Sequence, residues 1–382
     1  MKILHLCLSN FYIDEYNYQE NVLPRVNKED GHDVMIIAST ETFVENSKIG
    51  YVEPAEYVTE YGVPIKRIPY KRICNAFSTH KLRFYKGLYE EILKFNPDVI
   101  MSHDLAFGSI CDVIKYLKKH KNVKFYADTH TAAYNSGMNW LSLHVLHRMF
   151  YKHCVRKAYP YLEKYFYIGE SEKEFNIKNY GIESYKMEYF PLGGTIINIE
   201  EYNEKRMIRR KELNVADEEL LIIHSGKLNK QKKTIDLLRA FEEVPKLKAK
   251  LVIIGQIPDY LKNEFFNFVE NDNRVVYLGW KTGSELQEYL CAGDLYAQPG
   301  SVSATAQNAI CHKNIVMLYP HKDYVVNYDY GNILWVENVN DMVEIFKNFE
   351  HNKYDIDKML KGSEYCAESI LNYKKLAAKL YL

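Results

Sequence analysis

The chain has 382 residues, 47% hydrophobic and 26% charged, and its lysines and arginines balance its acids to a formal net charge of zero. That length exceeds one small domain and predicts about two; the composition is that of an ordinary globular protein. Zero net charge excludes a global field for nucleic acid, so attraction to an anionic surface has to come from local patches. Seven cysteines, at 7, 74, 111, 154, 291, 311 and 366, include no CxxC pair. This argues for reduced, mostly buried thiols in a cytoplasmic protein. The opening MKILHLCLSN reads as a first strand rather than a signal peptide. No apolar run approaches the roughly 18–20 residues that span a bilayer.

In chain order, a strand at 2–8, a polar loop, a helix at 20–28 and a strand at 33–39 make a parallel strand–helix–strand opening. Short extended pieces follow over 42–70, then a single helix at 77–95. A strand at 98–102 ends at His103-Asp104, and one at 124–127 ends at Asp128-Thr129-His130, with a helix at 105–119 between them. Residues 140–166 are helical, with Arg148, Lys152, Arg156, Lys157 and Lys164 against Glu163 alone and with aromatics interleaved. A strand at 165–168, a helix from 171 and an extended 188–191 come next. The polar stretch 195–215 reads as an interdomain connection. The second half repeats the rhythm, with strands at 220–224, 250–254, 275–278, 295–298 and 315–318. All five are short and apolar, as buried parallel strands are. Helices at 234–243, 259–270, 283–291, 304–312, 339–350 and 363–380 complete the chain.

In such folds ligands sit at the C-terminal ends of the strands. The stretch LLIIHSGKLNKQKKTIDLLRAF, at 220–241, is a strand, a glycine turn, a lysine-rich loop and a helix. Free N–H groups and the helix dipole favour an anion there. An ordinary strand–loop–helix unit with a solvated basic loop has the same appearance. His103 and Asp104, and Asp128 with His130, stand at strand ends where a histidine is often purely structural. The amides of Asn17, Gln19 and Asn21 suit sugar hydroxyls or the cap of a helix. The face at 140–166 suits an anionic leaflet or is a solvated surface.

Taken in order, Gly226-Lys227-Leu228 with Lys232, Leu251–Gly255, Arg274-Val275 through Gly279, Ala292-Gly293-Asp294-Leu295 and Pro299 resemble the C-terminal half of a retaining glycosyltransferase of family 4 type. The resemblance covers roughly 220–316, with weaker support from the KILH strand, Gly31-His32-Asp33-Val34 and Pro191–Gly194. It implies a GT-B α/β fold, two Rossmann-like domains facing across a cleft. The expected acceptor domain is 1–195, with 363–382 packing back on it, and the expected donor domain is 196–362.

The resemblance also implies roles. Lys227 stands where the family has arginine, and Lys232 where it has lysine; both neutralise the diphosphate of a UDP- or GDP-linked sugar, while Lys230 and Lys233 stay solvated. Gly226, Gly255, Ser301, Ser303, Thr305 and Gln307 complete the donor set, Gln307 replacing the family's glutamate. His130, Asp128 and Lys232 form the catalytic group, and Asn17, His103 and His130 the acceptor contacts. Neither metal nor cofactor is expected. The implied function is transfer of a hexose, with retention, to a saccharide or polyprenyl-linked saccharide in surface polysaccharide assembly. Residues 140–166 then touch the inner face of a membrane. The departures at 227 and 307 leave room for a partner subunit without catalysis, and the fold also serves nucleotide-sugar epimerases.

Overall fold

The computed structural model describes residues 1–16, 18–44, 48–133, 135–136, 139–140 and 142–382. It divides into two compact units, Met1–Pro191 with Tyr373–Leu382, and Leu192–Asn372. The first break thus falls after Pro191, where 195 was expected, and the return to the first unit starts at Tyr373 rather than 363.

In the first unit the strands are β1 (Lys2–Cys7), β2 (Asp33–Ser39), β3 (Glu41–Phe43), β4 (Ile49–Tyr51), β5 (Ala55–Val58), β6 (Pro64–Ile68), β7 (Val99–His103), β8 (Lys124–Asp128), β9 (Lys164–Tyr167) and β10 (Met187–Tyr189). Eight of them form one sheet in the order β10-β9-β8-β7-β1-β2-β6-β5, while β3 and β4 pair separately. All neighbours in the large sheet are parallel except β5 and β6. Alternation along β1 feeds two cores. Leu4 and Leu6 face Ile100, Phe107 and Val113. Ile3 and Cys7 face Val22 and Val26, together with Leu376 and Leu380 of the returning C-terminal segment.

The second unit holds β11 (Leu220–Lys227), β12 (Ala249–Gln256), β13 (Val275–Gly279), β14 (Leu295–Gln298), β15 (Ile315–Leu318) and β16 (Ile333–Trp335). They form a sheet ordered β13-β12-β11-β14-β15-β16, parallel throughout. This is the doubly wound Rossmann order, and the strand sequence reverses between β11 and β14. In the first unit the same reversal falls between β1 and β7. Ligand crevices form at such switch points.

Two expected elements are corrected. The single helix at 77–95 is two helices, Ala76–Leu82 and Leu88–Phe95. Arg83 ends the first in the left-handed region (φ 53°), and Tyr85 turns inward to donate from its hydroxyl to Leu8 O at 2.6 Å. The polar stretch 195–215 is no bare connection: it carries the helix Ile199–Glu212, capped by Asn198. Its arginines are paired, which lets so polar a helix pack. Arg206 and Arg210 each bind Asp294, and Arg209 binds Glu288.

Candidate active site

On the second unit, β11 carries Gly226 into a turn whose backbone has φ +134°. A Cβ there would meet the Lys232 Cε at 3.3 Å, so the lysine stem lies across the glycine. Gly255, at the end of β12, has φ +144°, and a Cβ would stand 2.0 Å from Gly226 O. Gly300, after β14, packs against the same loop: a Cβ would stand 1.9 Å from Gln231 O. Ser301 N donates to that carbonyl at 3.0 Å. Three glycines therefore bring β11, β12 and β14 close enough to hold Lys232 in one place. Burial lowers the Lys232 ammonium to about 8, and no acid pairs with it among the described residues. Lys227 is exposed. Lys230 stands over the Tyr260 ring. Lys233, expected to be solvated, donates to Glu337 O at 2.9 Å and lies over the Tyr319 ring; the turn points its stem towards that carbonyl.

His224 anchors this loop and was not anticipated. Burial lowers its imidazole to about 4; the neutral ring bonds Ala297 O at 2.7 Å and the Thr234 hydroxyl at 2.9 Å. It thereby ties β11 to β14 and to the start of the helix Thr234–Glu242. A polar residue inside the apolar run LLIIH was the available signal.

The stretch after β14 is also built from buried tyrosines. Ser303 N donates to the Tyr324 hydroxyl at 2.6 Å, and that hydroxyl donates back to Ser303 O at 3.1 Å. Ser303 Oγ accepts from Thr305 N at the start of the helix Ala304–Cys311. This hydroxyl therefore serves as a helix cap. Gln307 is 6% exposed; its Nε2 donates to the Tyr328 hydroxyl at 2.7 Å, and its Oε1 is an orphaned acceptor among the described residues.

On the first unit, β7 and β8 pair with His103 opposite Asp128. His103 Nδ1 stands 2.8 Å from Asp128 Oδ2, and His130 Nε2 stands 3.5 Å from the same oxygen. Burial pushes Asp128 up, but His103 and His130 outweigh it and hold the carboxyl below the usual range. Burial works against a charged His130; Asp128, with Glu20 and Asp104, overcomes it and raises the ring to about 10. His130 is therefore an imidazolium at neutral pH. Asp104, at φ 67°, donates its N–H to Asp128 Oδ1 at 3.0 Å and accepts from Thr131 Oγ1 at 2.6 Å. The ligand-type atoms of His103, Asp128 and His130 lie within 4.8 Å of one another. Two ligands of a tetrahedral zinc stand about 3.3 Å apart at ordinary bond lengths, whereas the His103–Asp128 separation of 2.8 Å is that of a hydrogen bond.

Asn17 lies outside the described residues. Asn21 donates to Ile13 O at 2.8 Å, fixing the loop. Gln19 is 1% exposed with neither amide atom bonded among the described residues, and the helix Gln19–Glu29 takes no side-chain cap. On the basic face, Lys164 pairs with Glu188 at 3.3 Å. Met149, Lys152, His153, Arg156 and Lys157 line an open recess of about 360 Å³, and Trp140 is 71% exposed. Among the described residues no helix is long and apolar enough to cross a membrane.

Two doubly wound sheets, each with glycines or charged groups at its switch point, define a GT-B protein. Residues 205–361, all within the second unit, match the family glycosyl transferases group 1. No curated protein matches the sequence. Among solved structures, a glycosyltransferase from Rickettsia africae is 14% identical, with TM-score 0.68 over 99% of this chain and 96% of its own. Anabaena HepE in complex with UDP is 12% identical, with TM-score 0.66 over 99% and 98%. The catalytic domain of starch synthase IV from Arabidopsis thaliana, bound to ADP and acarbose, is 15% identical, with TM-score 0.62 over 99% and 97%.

Proposed function

We propose that the chain transfers a hexose, with retention, from a UDP- or GDP-linked donor to a saccharide or polyprenyl-linked saccharide acceptor. The observation that carries this reading is Lys232, a partly buried ammonium without an acid partner among the described residues. A desolvated cation in a glycine-lined loop is a site waiting for an anion. Breaking a sugar–phosphate bond leaves negative charge on the departing diphosphate, and a fixed cation stabilises it. Lys232 is the fixed contact and exposed Lys227 a mobile one. These two charges do the work that a divalent ion does in metal-dependent transferases. Gly226, Gly255, Ser301 and Thr305 shape the donor site, and Gln307 meets the ribose. His130, as an imidazolium held by Asp128, donates to a hydroxyl of the transferred sugar, and His103 supports it. Calorimetry with UDP and GDP tests the assignment: binding that Lys232→Ala weakens supports it, and no binding to folded protein overturns it.

The basic face extends the reading to surface polysaccharide assembly at the inner face of a membrane. Exposed Met149 beside Lys152, Arg156 and Lys157, with exposed Trp140 stacked on His144 earlier in the same segment, suits the interface of an anionic leaflet. Co-sedimentation with phosphatidylglycerol vesicles, lost in a Trp140→Ala, Arg156→Ala double variant, supports this; equal recovery of both proteins with the phosphatidylglycerol vesicles contradicts it. Gln307 stands where the family resemblance implies a glutamate, which favours a second reading: a subunit that binds a nucleotide without turning it over.

A further inference from the structure

A cavity of about 500 Å³ opens in the first unit at the flank of the sheet away from His103 and Asp128. The loop after β1 lines it with Asp14 and Tyr16, β3 with Phe43, the segment after β4 with Glu53, and β5 and β6 with Tyr57 and Arg67. Register places Arg67 beside Ala38, near the end of β2, and beside Ala55 at the start of β5. The cavity is therefore on the same C-terminal side of the parallel strands as Asp128. Between β8 and β6 stand β7, β1 and β2. Strand spacings of about 4.8 Å then put it roughly 19 Å from Asp128 along the sheet.

The floor of the cavity is fixed. Arg67 is 3% exposed. Its Nε donates to the Tyr57 hydroxyl at 2.9 Å, Nη1 to Ser39 O at 3.0 Å, and Nη2 to Tyr12 O at 3.1 Å and to Asp14 Oδ2 at 2.8 Å. Burial and the bond to Asp14 push the Tyr57 phenol up to about 12. It therefore keeps its hydrogen and donates it to Asp14 Oδ1 at 2.7 Å. Both oxygens of Asp14 are thus held. Glu15, the next residue, lies in the left-handed region (φ 63°), which a residue with a side chain adopts only when its surroundings compel it. Beyond that turn the Tyr16 ring meets Phe43 edge to face at 5.6 Å. Glu53 is exposed at the rim, with neither ion pair nor hydrogen bond among the described residues.

This lining selects a ligand. A carboxylate only accepts, at about four lone-pair sites, and a guanidinium has five hydrogens. Asp14 thus keeps roughly two sites for a ligand and Arg67 about one hydrogen, while the Glu53 carboxylate is wholly available. Such a pocket calls for hydroxyl donors on one edge and an apolar face for the rings. A pyranose has that form, with hydroxyls at its edge and C–H groups on its face. Hydroxyl-to-carboxylate bonds are charge-assisted and stronger than neutral ones. Asp14 and Glu53 outnumber Arg67, so a phosphate or a uronate is repelled. An isoprenoid chain would desolvate both carboxylates and offer them no hydrogen.

We propose that the cavity is a saccharide subsite, which holds an uncharged pyranose unit of the acceptor several units away from the hydroxyl that reacts. The acceptor is then an oligosaccharide, and the reaction lengthens an existing chain. The chain-lengthening part rests on the transferase reading; occupancy of the cavity does not. The probes are methyl glycosides of neutral hexoses, N-acetylhexosamines and uronic acids, each tested by saturation-transfer NMR on the full chain without nucleotide. A neutral glycoside should take up saturation on its ring C–H protons. Phe43→Ala should reduce that signal roughly threefold or more, and Phe43→Trp, which keeps an aromatic wall, should retain it. Glu53→Gln, at the exposed rim, should weaken the same signal without disturbing the fold, and the uronates should give none. The proposal is overturned by silence from every neutral glycoside, by equal signals in the wild type, Phe43→Ala and Glu53→Gln, or by a uronate signal that these variants remove. Turnover separates the two readings. Phe43→Ala should raise the acceptor KM about tenfold for oligosaccharides long enough to reach the cavity. It should leave KM unchanged for mono- and disaccharide acceptors and for the donor. Equal effects on short and long acceptors would contradict the subsite. Glycoside binding as expected, with no release of nucleoside diphosphate, would keep the saccharide site and remove the transferase reading alone.

Discussion

Gln307 Nε2 lies 2.7 Å from the Tyr328 hydroxyl, and the amide oxygen behind it is buried and orphaned among the described residues. An acceptor held in this way suits a ribose hydroxyl, through a neutral bond weaker than a carboxylate would make. Gln307→Ala should weaken UDP or GDP binding by about 1–1.5 kcal/mol, roughly tenfold. Inorganic pyrophosphate lacks the ribose, and its affinity should not change. Calorimetry with both ligands checks this, and equal losses would place Gln307 at the phosphates.

Lys232 should impose a pH limit on donor binding. Burial brings its ammonium to about 8, and the bound diphosphate requires the charged form. Affinity should be level below pH 8 and should then fall by about tenfold per pH unit, the slope for one proton. Lys232→Ala should remove this dependence and cost roughly 10²–10³ in kcat, the scale of one lost electrostatic contact. Affinity measured from pH 6 to 9.5 reads the first effect, and steady-state turnover reads the second.

Asp128→Asn should remove the charge that raises His130 to about 10 against burial. Turnover at pH 7–8 should fall and should partly recover at acid pH. Stability should follow the same pair. His130 is raised above its unfolded value, so its contribution is complete below about 6.5 and is lost as pH rises through about 10. Urea melts at pH 6 and pH 10 should show the wild type losing more stability across this window than Asp128→Asn.

The glycine contacts make a prediction independent of charge. At Gly300 a Cβ would stand 1.9 Å from Gln231 O, and this neighbour is backbone. Gly300→Ala should cost about 1–3 kcal/mol in a denaturant melt and should also weaken donor binding, because the segment that moves carries Lys232. Gly62→Ala, where a Cβ meets nothing within 4 Å although φ is +77°, should leave donor binding unchanged.

The sheets were legible because buried parallel strands are short apolar runs, and the strands starting at Leu295 and Ile315 were anticipated residue for residue. The helix Ile199–Glu212 was not, since its order depends on Asp294 and Glu288, some eighty residues away in sequence. The break at Arg83 was hidden for a similar reason: Tyr85 is drawn inward by Leu8 O. In the candidate site, Lys232 and the pair Asp128 and His130 could be picked out because strand ends and glycines mark them. His5 and Asn27 could not, because the hydrogen bonds joining them to each other and to His103 link β1, a helix and β7. A lone histidine in KILHLC says only that some partner must exist.

The most direct test of the whole account is turnover. Purified protein incubated with UDP- and GDP-hexoses, with lipid-linked and free saccharide acceptors, should release the nucleoside diphosphate in step with a new glycoside of the donor's anomeric configuration. Lys232→Ala should reduce that release roughly 10²–10³-fold. Folded protein that binds neither UDP nor GDP, or that binds one of them tightly and releases nothing with any acceptor, would contradict the assignment as a transferase.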